Sequence, residues 1–247
     1  MTPNLATSDW PALSSRLQDA LHLSVAPVFV AFGHERPDDV PAFDAPMSAP
    51  AADGRAGRVA ASCVFWVEAA HSSPYSTIAE DHGNCSVGLV THGFASLEQV
   101  AGNDDVAALL GSGWVTPDMV PSIPAVSSKP GCITYGRLDQ VPEGVAPDVV
   151  MLRVNGRQMM VLSDSIPELS IQGKPQCHIV ALAKERGMAA ASVGCALSRA
   201  RTGMRPDEMT CALPAPGLVA TVESIEKTAA TDSVVAKYAA EDARRFA

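Results

Sequence analysis

No apolar run in this 247-residue chain reaches the eighteen or so residues that a bilayer-spanning helix needs. The hydrophobic residues come instead in short blocks of two kinds. "VAPVFVAF" (25–32), "CITYGRL" (132–138) and "DVVMLRV" (148–154) are rich in β-branched and aromatic residues and predict strands. "DWPALSSRLQDAL", "GRQMMVLSDSI" (156–166) and "QCHIVALAKERGM" (176–188) predict helices, the last stopped by Gly187. Blocks this short can bury their apolar sides only against one another. They alternate without a regular βαβ rhythm, which predicts a mixed α/β (α+β) fold: a mixed sheet flanked by helices.

The rest of the chain fits that frame. A first helix is expected from Asp9 to Leu23, capped by Ser8, with Pro11 in its first turn. Pro27 marks the next strand as an edge or as starting there. Residues 36–57, rich in Pro, Ala, Gly and Asp, read as an irregular connection. "RVAASCVFWVEAAH" (58–71) predicts a mostly buried helix with Cys63 in its middle. "YSTIAE" (75–80) predicts a short strand, and "CSVGLVTHG" a helix starting after Gly83 and Asn84. Two short helices are expected over 96–113, strands at 189–195 and 208–214, and one or two terminal helices from Gly217 to Arg245. We read residues 1–247 as one domain, with a helical tail at about 217–247.

Composition narrows function by exclusion. A formal charge of −9 argues against the basic face that nucleic acid requires. The N-terminal sequence lacks a basic region followed by an apolar one, so a cytoplasmic protein, free of membrane, is expected. In a reducing compartment the six cysteines are not disulfide partners; each is either a small buried hydrophobe or a thiolate with a task. There is no G-x-G-x-x-G, phosphate loop, G-x-S-x-G or H-E-x-x-H motif. No two cysteines have C-x-x-C spacing, which argues against a zinc ribbon.

What remains is a set of isolated cysteines in special contexts. Cys85 follows "HGN" at a helix start, where the helix dipole favours thiolate. Cys177 begins a helix, and Cys195 follows Gly194 with Arg199 and Arg201 just beyond. Dispersed thiolates that converge select iron–sulfur clusters, zinc or cuprous copper. Cys132 and Cys211, in strand-like surroundings, read as packing.

"ASCVFWVEAA", "AEDHGNCSVGLVTHG", "PDVVMLRVNGRQMMVL", "GKPQCHIVALAKERGMAAASVGCALSRARTG" and "EMTCALP" occur in an order that resembles the uncharacterised family called domain of unknown function 169, over about residues 13–230. The resemblance maps the family's recurrent cysteines onto Cys63, Cys85, Cys177 and Cys195. It maps an arginine onto Arg199 and an acid onto Glu208. Ala31 stands where the family usually has a lysine, and "TYGRL" replaces its "LAPL".

Together these readings favour an iron–sulfur cluster, of the 4Fe–4S type, held by Cys63, Cys85, Cys177 and Cys195. An iron left open would act as a Lewis acid, in elimination or desulfuration, or the cluster would pass electrons. His82 and Glu80 are the expected proton-transfer residues, with His92 ranked below His82. Arg199 and Arg201 are expected to bind a small anionic substrate. Two alternatives stay open: a zinc- or tetrapyrrole-binding carrier or sensor, and a cluster-free enzyme with Cys85 as nucleophile and His82 as base. Homo-oligomerisation is also open.

Overall fold

A computed structural model describes residues 9–44 and 60–245. Its helices are α1 (Trp10–Leu21), α2 (Ser62–Ala69), α3 (Ser86–Thr91), α4 (Leu97–Val100), α5 (Asp104–Gly111), α6 (Gly156–Ser165), α7 (His178–Arg186), α8 (Ala196–Thr202) and α9 (Leu218–Arg245). Its strands are β1 (Val28–Gly33), β2 (Tyr75–Thr77), β3 (Cys132–Arg137), β4 (Val149–Val154), β5 (Ser170–Gln172), β6 (Ala190–Ser192) and β7 (Met209–Pro214). All seven lie in one sheet, in the order β2-β3-β1-β4-β7-β6-β5. Among these strands only β5 and β6 pair in parallel and the other pairings are antiparallel, with a single parallel bridge from Ala42 to Ser76 of β2. The expected mixed α/β sheet is therefore what forms.

The period-2 alternation of the strands sorts the core onto two faces. Val28, Val30, Val149 and Met151 point to one face, where α2 and α7 pack. Phe29, Ala31, Val150 and Leu152 point to the other, against α1, α6 and α9. Each large side chain fully buried there contributes about 1.5–3 kcal/mol. β1 is central, between β3 and β4, so Pro27 precedes the strand without making it an edge.

Polar ties fix the helices on these faces. Asp9, rather than Ser8, caps α1, its carboxylate accepting from the Ala12 amide at 3.0 Å; Ser8 lies outside the described residues. α1 ends at His22 in a left-handed conformation, φ 50°. The Gln158 amide of α6 donates to the helix-end carbonyls of Leu21 and His22, at 2.9 and 3.0 Å. On the opposite face Asp148 accepts from the Phe32 amide and from Lys184 of α7, both at 2.7 Å. One carboxylate thus ties β1 and α7 to the start of β4.

The tail, expected as one or two helices, is one helix from Leu218 to Arg245. Other expectations change. Cys63 is the second residue of α2, not its midpoint, because the helix starts only at Ser62. A helix not anticipated, α8, follows Cys195. Part of the irregular connection, 45–57, and the start of the expected 58–71 helix lie outside the described residues. No helix among the described residues is long and apolar enough to cross a membrane.

Gly131 shows how closely the β1–β3 pair is fitted. Its amide donates to the Gly33 carbonyl at 2.8 Å. A Cβ added at residue 131 would lie 1.9 Å from the His34 carbonyl oxygen, with backbone that cannot swing aside. Gly131→Ala is expected to cost about 1–3 kcal/mol in urea unfolding, as overpacking does. Gly156→Ala, where a Cβ meets nothing within 4 Å, is expected to stay within about 1 kcal/mol of the parent.

Candidate functional site

The four grouped cysteines share one structural position. Cys85, Cys177 and Cys195 are the residues immediately before α3, α7 and α8, and Cys63 lies in the first turn of α2. The N-terminal turn of a helix carries unpaired N–H groups and the positive end of its dipole, a setting that favours thiolate and anions. The four starts are neighbours. α2 packs against α3 and α8, and α3 against α7. A Cβ at Gly88 of α3 would meet the Ser62 hydroxyl at 2.8 Å and the Cys85 Cβ at 3.7 Å.

The thiols lie within electrostatic reach of one another. Burial, then the charges of Cys85 and Cys195, pushes the Cys63 thiol up to about 12, while Arg201 pulls it down. Burial, then Cys85, Cys63 and Cys195, pushes Cys177 well above the usual range, and a Thr91 bond opposes it. All four side chains are buried. Cys211 lies on the opposite face of the sheet, among the residues packed on α1, α6 and α9. Cys132 sits at the start of β3, its sulfur near Gly33. Among the described residues no three His, Cys, Asp or Glu side chains stand close enough to hold a single metal ion. The thiols are gathered more loosely than the tight tetrahedron of a structural zinc.

Arg201 belongs to this site. One of its terminal nitrogens donates to the Asn84 carbonyl at 3.2 Å, beside Cys85. The other, Nη1, is buried without a hydrogen-bond partner among the described residues. Arg199 does not belong to it in the way expected. Its Nε donates to the Val193 carbonyl at 3.1 Å, and Nη1 and Nη2 donate to the carbonyls of Arg205 and Glu208, each at 3.0 Å. Those bonds leave the guanidinium clamping the loop around α8 instead of facing a substrate. Gly194 makes room for it: φ is +88°, and a Cβ there would come within 3.2 Å of the Arg199 Nε. Glu208 anchors the same loop, accepting from Arg153 at 2.7 Å and from the Arg205 amide at 2.9 Å. Burial alone would raise its carboxyl; those donors outweigh it and hold it below the usual range.

The two expected proton-transfer residues are also placed otherwise. Glu80 is exposed, on the single helical turn Ala79–His82. His82 is fully buried, with Nδ1 2.8 Å from the Ser62 hydroxyl and Nε2 2.9 Å from the Thr77 hydroxyl. The rings of Phe65 and Phe94 lie 4.8 Å from it. Both nitrogens are spent, so His82 fastens α2 to β2 and offers Cys85 no free base.

His92, ranked lower from sequence, keeps a nitrogen free. Its Nδ1 lies 3.1 Å from the Gly88 carbonyl. A carbonyl only accepts, so the proton sits on Nδ1 and Nε2 carries a lone pair. That Nε2 is buried with no partner among the described residues, as is the Trp66 Nε1. Trp66 is one turn after Cys63, a spacing of three that shares a helix face. Gln176 and His178, flanking Cys177, each hold an unpartnered buried atom too. Five of the eight such atoms among the described residues thus lie on the cysteine-bearing helices or next to them. Buried polar atoms are normally paired, with protein, water or ligand.

The sequence matches the family described as uncharacterised ArCR, domain of unknown function 169, over residues 16–224. The chain belongs to that family. No curated protein and no solved structure matches it.

The buried histidines set a pH limit. Burial lowers His82 well below its ordinary value, and His92 and His178 to about 4. Between pH 6.5 and about 4 the unfolded chain therefore binds protons that the folded chain refuses, and stability falls as pH falls. Urea midpoints measured from pH 8 to 4 are expected to drop across that window. His92→Gln, which cannot titrate, is expected to flatten the drop; a flat profile in the parent would show these rings are not held neutral.

Proposed function

We propose that this family member holds an iron–sulfur cluster on Cys63, Cys85, Cys177 and Cys195, and uses it as an enzyme on a small anionic molecule bound at Arg201. The observation that carries the reading is the convergence of four helix starts, each with its cysteine, on one face of the sheet. An anionic thiolate-ligated cluster is the kind of group that such a concentration of helix N-termini stabilises. A polynuclear cluster spreads its ligands over several irons, which suits thiols too far apart for one ion. The unpartnered N–H groups of Trp66 and Arg201 are the type of donor that tunes cluster sulfurs or holds an anion.

The residues also divide the labour. The protonated thiols of Cys63 and Cys177 must give up their protons on ligation, so loading releases acid. If three cysteines ligate, the remaining iron supplies Lewis-acid chemistry. Arg201 then places the anion, and His92 Nε2 is the free acceptor for a proton. The single-zinc reading has no tight ligand set to support it, and the thiol-enzyme reading lacks its base because His82 is engaged on both sides.

Anaerobically purified protein is expected to be brown, with broad absorbance near about 400 nm and about four irons per chain. Cys63→Ser, Cys85→Ser, Cys177→Ser and Cys195→Ser should each lose colour and iron. Cys132→Ser and Cys211→Ser should keep both. Colourless parent protein, stoichiometric zinc, or equal iron in all six variants would sink the proposal.

A further inference from the structure

A cavity of about 330 Å³ lies between α3, α4, α5 and the segment 115–123, beside the cysteine site. Eleven of its thirteen lining residues are aliphatic, among them Val87, Val90, Val106, Leu109, Val115 and Ile123. The other two are Ser86 and Glu98. Ser86 is the residue after Cys85, and its amide and hydroxyl are already taken by Asp105, at 2.9 and 2.6 Å. Those two bonds hold the start of α5 onto α3 and so keep the cavity walls in place.

The α5 wall is incomplete as protein structure. The helix has eight residues, yet none of its side chains is buried. Short helices owe their stability to a packed apolar face more than to propensity. Here Val106, Leu109 and Leu110 turn that face toward empty volume. The volume falls within the range of small-molecule sites, and its walls are apolar as such sites are.

Charge selects the occupant further. Among the described residues Glu98 is the sole charged one in the lining, and its carboxyl is held below the ordinary range by a bond to Ser96. No Lys, Arg or His among the described residues lines the cavity. A carboxylate or phosphate entering it would lose water with no cation in return, and would meet a negative charge at Glu98. We propose that this cavity binds a small apolar molecule whose polar end is not anionic. The site is separate from the anion position at Arg201 and does not depend on the cluster reading.

N-phenyl-1-naphthylamine, a neutral apolar fluorophore, tests this. Its fluorescence is expected to rise and saturate at one probe per chain. Octanol and octylamine should displace it at lower concentrations than octanoate. Val106→Arg and Leu109→Arg, at positions that are not buried in the core, should each weaken probe binding at least tenfold with circular dichroism unchanged. Val234→Arg, on the exposed part of α9, should leave it unaltered.

Absence of saturable binding, unchanged binding in both arginine variants, or preferential displacement by octanoate overturns the proposal. So does a parent dimer that both arginine variants convert to monomer, since the cavity would then be a subunit contact. Two measurements separate the readings: Cys195→Ser that loses iron and keeps probe binding supports this site, while a parent protein that holds iron but shows no saturable probe binding fails this site alone.

Discussion

The cysteine-bearing face is governed by one constraint: four helix N-termini have to end in the same small volume. Each brings N–H groups that its own helix cannot pair, and like dipole ends disfavour one another. Such an arrangement is stable only when something accepting or anionic sits among the ends. The protein supplies part of that. Asp105 takes the first amide of α3, and the Ser198 hydroxyl takes the Cys195 amide at 2.9 Å. The Cys195 sulfur adds one more acceptor, for the Ser198 amide at 3.4 Å. Arg199 and Glu208 serve the same end indirectly, because they fix the loop from Val193 to Glu208 and with it the start of α8.

The sheet separates this work from ordinary packing. α1, α6 and α9 cover one face with a conventional apolar layer, and Cys211 is simply part of it. The other face carries α2 and α7, and the polar site grows where they meet α3 and α8. Asp148 and Lys184 tie α7 to the central strands, so the start that holds Cys177 is fixed to the most buried part of the sheet.

Much of this was legible in the sequence. The β-branched blocks placed β3 and β4 to within one residue, while β1 starts three residues after the expected 25, and Gly187 stops α7 in the left-handed conformation its position implied. Cys85 and Cys177 could be placed at helix starts because glycine and proline precede them. Other features had no local signal. β5 is a three-residue edge strand whose place comes from pairing with β6. The start of α2 is silent because Ala61 offers no capping side chain. The roles of Arg199 and His82 depended on which distant carbonyls and hydroxyls would surround them, and spacing carries no trace of that. The Cys63–Trp66 spacing was readable and marks a shared face, but nothing in it shows that the indole N–H stays unpaired.

The raised thiols have a consequence for how these sulfurs age. A sulfur kept protonated and out of water is a poor target for peroxide or electrophiles, whose attack needs the thiolate. Cys63 and Cys177, pushed up by burial first and then by Cys85 and Cys195, are two such quiet sulfurs. Their protection from oxidation comes from burial and not from a disulfide partner, since both are free thiols.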